Sequence, residues 1–223
     1  WEETYIHDIF VKNDTAYACD IYNGSLFIID VSDKTNPTTM VEHNYSNYGC
    51  HAVWVTDDSK YAVTGDEESG GYVYIFDIQD FNNINMISQW TVDGGEDKSI
   101  HNVLVRDQYL YISYYIFGLQ ILDISDPYNP TPAGYYDTYP GSNGFYNGAW
   151  GAYPFTESCY TYISDIESGL YVVDFAGCNS ATAELSYSPG SFDFTLAPDQ
   201  SASDILSITN NGEEESVLFY DVS

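Results

Sequence analysis

The chain has 223 residues, with 34 Asp and Glu against 5 Lys and Arg, a formal net charge of −29. A chain this acidic repels phosphate backbones and anionic lipid, which excludes nucleic acid as a direct partner, and no apolar run is long enough to insert in a membrane. Hydrophobic residues at 44 % and aromatics at 17 % exclude a disordered acidic chain and supply material for a core.

In chain order, Trp1 to Asp8 already reads like the middle of a repeat, so further blades are expected upstream. The pentads Leu26-Phe-Ile-Ile-Asp30, Val73-Tyr-Ile-Phe-Asp77, Leu119-Gln-Ile-Leu-Asp123 and Leu170-Tyr-Val-Val-Asp174 end on aspartates spaced by 47, 46 and 51 residues. Short β-branched and aromatic runs precede each pentad: Ile6 to Val11 and Ala16 to Cys19, His51 to Val55 and Tyr61 to Thr64, His101 to Val105 and Tyr109 to Ser113, Asn147 to Trp150 and Tyr160 to Ile163. Polar turns at Asp33 to Pro37, Asp80 to Ile84 and Asp126 to Pro130 follow the first three pentads. A strand-only repeat of about 46–51 residues is the size of one propeller blade, so residues 1–180 are expected to form four blades of four strands in an incomplete ring. The period breaks at Ala176 to Ser180. Residues 181–223 read as strands at Glu184 to Tyr187, Phe192 to Leu196, Ser203 to Thr209 and Ser216 to Val222. They are expected to open an immunoglobulin-like β-sandwich or to exchange strands with another chain. The fold class is thus all-β, with a short C-terminal sandwich segment.

The words His101-Asn-Val103, Gly118-Leu-Gln-Ile-Leu-Asp-Ile-Ser-Asp126, Gly134-Tyr-Tyr-Asp-Thr-Tyr-Pro140, Asn147-Gly-Ala-Trp150 and Ser164-Asp-Ile-Glu-Ser-Gly-Leu170 resemble the LVIVD-repeat propellers, in particular the choice-of-anchor B group. That resemblance covers residues 100–173 best and implies an exported, surface-attached bacterial propeller with varied C-terminal modules.

A histidine stands at the start of the first strand in three successive repeats, His7, His51 and His101, with Asn147 at that place in the fourth. First strands of propeller blades line the central channel, where equivalent side chains converge. Carboxylates recur in a second register: Asp20, Asp66 with Glu67, and Asp165 with Glu167. Imidazole with carboxylate suits a divalent transition metal, and carboxylate with carbonyl suits calcium. His7, His51, His101, Asp66, Glu67, Asp165 and Glu167 are therefore the metal candidates. The competing reading has the histidines hydrogen-bonding neighbouring blades. His43 falls outside the register and reads as a solvated loop residue. The pentad aspartates read as Asx-turn caps. Tyr114-Tyr115, Tyr135-Tyr136 and Tyr139 have two readings, packing or an exposed stacking surface.

The sequons at Asn13, Asn23 and Asn44 are N-glycosylation candidates, and Cys19, Cys50, Cys159 and Cys178, with no CxxC spacing, are disulfide candidates. No nucleophile motif has a supporting context. The expected function is an extracellular binding or scaffold protein with other protein chains or surface glycans as partners. Assembly into fibres through unpaired strands is part of that expectation. The alternative is a metal-dependent hydrolase working through the His and carboxylate cluster.

Overall fold

The computed structural model describes residues 1, 3–141, 143–178 and 185–211, all of them outside helices. The chain divides into two units, Trp1–Gly177 and Cys178–Ser223.

The first unit is a succession of antiparallel sheets, each a meander in chain order. Blade 1 contains β1 (Asp8–Lys12), β2 (Thr15–Asp20), β3 (Ser25–Asp30) and β4 (Thr38–Asn44). Blade 2 contains β5 (Cys50–Val55), β6 (Tyr61–Asp66), β7 (Val73–Asp77) and β8 (Asn85–Trp90). Blade 3 contains β9 (Asn102–Arg106), β10 (Tyr109–Ser113), β11 (Leu119–Asp123) and β12 (Thr131–Tyr136). Blade 4 has three strands among the described residues, β13 (Ala149–Tyr153), β14 (Tyr160–Asp165) and β15 (Gly169–Asp174), where the repeat predicts four.

The burial pattern explains why these sequences take this form. Sheets stacked face to face bury both faces of their middle strands, so β2 and β3 are apolar almost continuously and are buried throughout their central residues. The outermost strand β4 instead alternates between exposed and half-buried positions. Leu26 and Ile28 of blade 1 pack against Val53, Val55 and Phe76 of blade 2. Val63 and Ile75 of blade 2 pack against Val103, Leu110 and Ile112 of blade 3, and Tyr111 and Ile121 against Ala149 and Ile163 of blade 4. Trp1 and Ile6 cover Phe27 and Ile29 on the remaining face of blade 1.

Two details repeat with the pentad. The pairing of the third strand with the fourth slips by one residue at Ile28/Ile29, Ile75/Phe76 and Ile121/Leu122, a duplicated β-bulge. The pentad aspartates Asp30, Asp77 and Asp123 each accept a hydrogen bond from the N–H two residues on, at 2.8, 3.0 and 2.8 Å, as Asx-turn caps.

In the second unit, β16 (Leu185–Ser188) pairs antiparallel with β17 (Ser207–Asn210). Phe192 to Leu196 is not a strand: Phe192 and Phe194 lie exposed and stack on each other at 6.2 Å, with no partner strand among the described residues to bury them. Glu184 and the strand expected at 216–222 lie outside the described residues.

Candidate functional site

The inner strands β1, β5, β9 and β13 run side by side in separate sheets. A cavity of about 170 Å³ lies between them, lined by Asp8 and Ile9, Val53 and Trp54, Asn102 to Leu104, and Ala152. At one end of these strands the rings of His7, His51, His101 and Trp150 form a row, with centroids 4.1, 4.5 and 3.9 Å apart. The row exists because each blade places the same backbone position at the channel mouth.

Its fourth member is Trp150, and Asn147 is not in the row. In blade 2, Cys50 pairs with Asp66 and Ala52 with Gly65, which leaves His51 as the extra residue of a bulge. In blade 4, Ala149 pairs with Asp165 and Gly151 with Ser164, which leaves Trp150 at the same place. Gly49 and Gly148 precede them with φ of 104° and 89°, a left-handed bend that favours glycine. The shared Gly-x-(His/Trp) spacing was the sequence signal for this equivalence. Asn147 instead donates to Glu167.

The row meets the carboxylates at one point. Ligand atoms of His7, His51 and Glu67 all lie within 4.8 Å of one another, and His51 Nε2 is 3.3 Å from Glu67 Oε2. Tyr115, from the blade 3 turn, donates its hydroxyl to the other Glu67 oxygen. Burial and the bond to Glu67 hold the Tyr115 phenol well above its ordinary range. Burial pushes the His51 imidazole down, Glu67 opposes this and His7 adds to it. A neutral imidazole beside a carboxylate is the form that coordinates a metal. Two imidazoles and a carboxylate are a donor set for a divalent transition metal.

The other candidates lie elsewhere. His101 is outside this triplet: its Nδ1 bonds the Trp150 backbone carbonyl, and burial with the adjacent His51 lowers its pKa to about 3. Asp66 is one residue from Glu67 but faces the interior between blades 1 and 2, where it accepts the Tyr45 hydroxyl at 2.6 Å. Burial raises Asp66 to about 7. Asp20 is absorbed by the Tyr22 and Asn23 amides and by Thr4. Asp165 caps the Glu167 and Ser168 amides, and Glu167 accepts from Gly148 N at 2.8 Å. Each has its hydrogen-bond partners elsewhere, and none is bonded to a histidine among the described residues.

Other expectations need similar adjustment. Cys19 and Cys50 are free thiols, both buried in the core shared by blades 1 and 2. Of the four cysteines, Cys159 and Cys178 are the disulfide-bonded ones. His43 is not a loop residue: it lies in β4 opposite Leu26, with its ring edge-on to Phe76 of blade 2 at 5.3 Å. Tyr114 and Tyr115 are fully buried, so they cannot serve as an external stacking surface, while Tyr135 is exposed. Asn13, Asn23 and Asn44 are exposed. Asn23 Nδ2 donates to Asp20 at 2.7 Å and Asn44 Nδ2 to Ser25 at 3.1 Å.

The LVIVD repeat model matches residues 5–44, 99–138 and 159–187. No curated protein matches the chain. The fold is similar to a periplasmic gluconolactonase of Pseudomonas aeruginosa (TM-score 0.60, 11 % identity, 75 % of this chain and 49 % of that one). It is also similar to a putative 6-phosphogluconolactonase from Bacteroides uniformis (TM-score 0.58, 16 % identity, 77 % and 56 %). A third likeness is to the computationally designed Ika4 protein (TM-score 0.56, 10 % identity, 78 % and 94 %). The chain spans about half the length of the two lactonase structures. At these identities the likeness establishes the propeller fold alone.

Proposed function

Taking the chain as LVIVD repeats folded into β-propeller blades, we propose that it is an extracellular, surface-associated binding protein with a divalent transition-metal site at His7, His51 and Glu67. The observation that carries the reading is the convergence of three ligand atoms, from two blades, within 4.8 Å at the channel mouth. His51 and Glu67 are drawn from inside, where burial keeps water from competing, and His7 is exposed, which leaves an entry path. The choice among metals follows from ligand type, because nitrogen donors favour zinc, copper or nickel over calcium. Disulfide-bonded Cys159 and Cys178 support an oxidising compartment.

The test is zinc titration of the chelator-treated protein by calorimetry, with elemental analysis. About one equivalent is expected, lost in His51→Ala and in Glu67→Gln. Absence of saturable binding by zinc, copper and nickel would sink the proposal.

A metal-dependent hydrolase is the second reading. It is favoured by the three-ligand set, which leaves a coordination position for water, as catalytic zinc sites do. Two fold neighbours carry lactonase names. Zinc-loaded protein that fails to accelerate opening of a panel of sugar lactones above the rate of zinc alone would remove it.

A further inference from the structure

Around the His and Glu floor stands a rim of aromatic side chains that the metal reading does not use. Tyr5 lies 6.3 Å from His7 and 5.2 Å from Tyr22, and Tyr22 lies 6.3 Å from Tyr48, centroid to centroid. Tyr48 immediately precedes Gly49, whose carbonyl accepts the Glu67 amide at 2.8 Å. On the other side, Trp150 closes the row of rings, and Tyr146 packs edge-on at 5.2 Å against Tyr115, the donor to Glu67. Tyr115 ties this side together, since it donates to Glu67 and lies 5.2 Å from Tyr146 and 6.2 Å from Trp150, centroid to centroid.

Tyr5, Tyr22, Tyr48, Tyr146 and Trp150 are between 40 % and 61 % exposed. Five large aromatics left in water around one inward-facing carboxylate are not core, because core packing would have covered them. Their faces and hydroxyls are electron-rich. The charges sort in the same sense. Lys12, Lys34, Lys60 and Arg106 lie in or beside the turns at the opposite end of the blades, β1–β2, β3–β4, β5–β6 and β9–β10. Lys98, at the mouth end, is held by Asp97 at 3.1 Å. A site with aromatic walls, a carboxylate in its floor and no lysine or arginine within it repels anions and attracts cations.

The geometry points to a second ligand class for this mouth: an organic ammonium, methylated at nitrogen, seated over Glu67 between Tyr48, Tyr146 and Trp150. A methylated ammonium is too bulky and too weakly hydrated to need a hydrogen-bonded pocket, and aromatic faces replace its hydration shell. The inference shares Glu67 with the metal reading but does not require a metal.

Choline is the probe, titrated into the full chain in excess chelator and followed by calorimetry and tryptophan fluorescence. Saturable binding is expected, with 3,3-dimethylbutan-1-ol, the uncharged carbon isostere, binding at least about tenfold more weakly. Trp150→Ala and Tyr146→Ala are expected to weaken choline about three- to tenfold each, and Tyr146→Phe, which keeps the ring, to retain most of the affinity. Zinc titration of the same variants separates the two readings, since Trp150→Ala and Tyr146→Ala change no metal ligand and should take up zinc as the native chain does while losing choline affinity. No saturation by about 50 mM choline, or equal affinity for the isostere, would overturn the inference while leaving the metal reading standing. Choline binding without zinc binding would do the reverse.

Discussion

Trp150 in the fourth blade occupies the bulge position that His51 occupies in the second. Each stands between a residue paired with a buried aspartate, Asp165 or Asp66, and one paired with the next residue inward. The backbone keeps its shape while the side chain differs, an imidazole beside Glu67 in one blade and an indole lying 3.9 Å from the His101 ring in the other. The row is therefore divided: His7 and His51 face Glu67, and His101 and Trp150 hold each other.

That division makes His101 a structural residue. His101→Ala should leave zinc affinity within about threefold while lowering stability by about 1–2 kcal/mol, through loss of the bond to the Trp150 carbonyl and of three ring contacts, with His51, Tyr115 and Trp150. Calorimetry and urea denaturation on the same preparation check both halves. A variant that keeps its stability but loses zinc would place His101 among the ligands.

Asp66 gives a pH dependence of definite sign. Burial raises its folded pKa from 3.8 to about 7, so the folded state favours the protonated carboxyl. Its contribution is fully present below about pH 4, is lost as pH rises through about 7, and is flat above. Asp66→Asn has no proton to lose and keeps an acceptor for Tyr45. The stability of the variant minus that of the native chain should grow across this window, by up to about 4 kcal/mol. An offset that does not change between pH 4 and 8, in urea denaturation, would contradict this.

The Cys19 and Cys50 thiols should be silent in the folded protein. Both are fully buried, and burial, reinforced by the neighbouring Cys50, holds the Cys19 thiol well above its ordinary pKa. The thiolate is the reactive form, so native protein should react with an aromatic disulfide reagent at least about a hundredfold more slowly than protein in guanidinium. The denatured chain should then titrate two thiols, the two that are free in the fold. Fast reaction in native buffer would mean that the contact between blades 1 and 2 opens readily.

Gly118 carries the turn between β10 and β11. Its φ is +68°, and a Cβ there would lie 2.1 Å from the Tyr136 carbonyl oxygen. Gly118→Ala should cost at least about 2 kcal/mol, combining left-handed strain with a backbone clash. Gly94 also has positive φ, +79°, but open space around its Cβ position. Gly94→Ala should cost about 1 kcal/mol, from strain alone. Equal losses in thermal or urea unfolding would show that the close approach at Gly118 relaxes freely.

The repeat and its strands were legible in the sequence because duplication writes them four times and local chemistry supports each copy. The pentads are rich in apolar residues, the aspartates of the first three close Asx turns, and Pro and Asn stop the strands. The histidine row was legible for the same reason. What only the tertiary structure decided is which carboxylate meets it. Asp66 and Glu67 are neighbours in sequence, yet successive residues leaving a strand point opposite ways: Asp66 enters the interior beside Tyr45, and Glu67 reaches His51. Local counting put Asn147 in the row, three residues short of Trp150, because the equivalence rests on strand pairing: His51 and Trp150 are each the extra residue of a bulge opposite Asp66 and Asp165. The shared core of Cys19 and Cys50, and the bond by which Tyr115 carries Tyr146 to Glu67, join residues from different blades. Local propensity carries no information about such contacts, because they arise from the stacking of one sheet on the next.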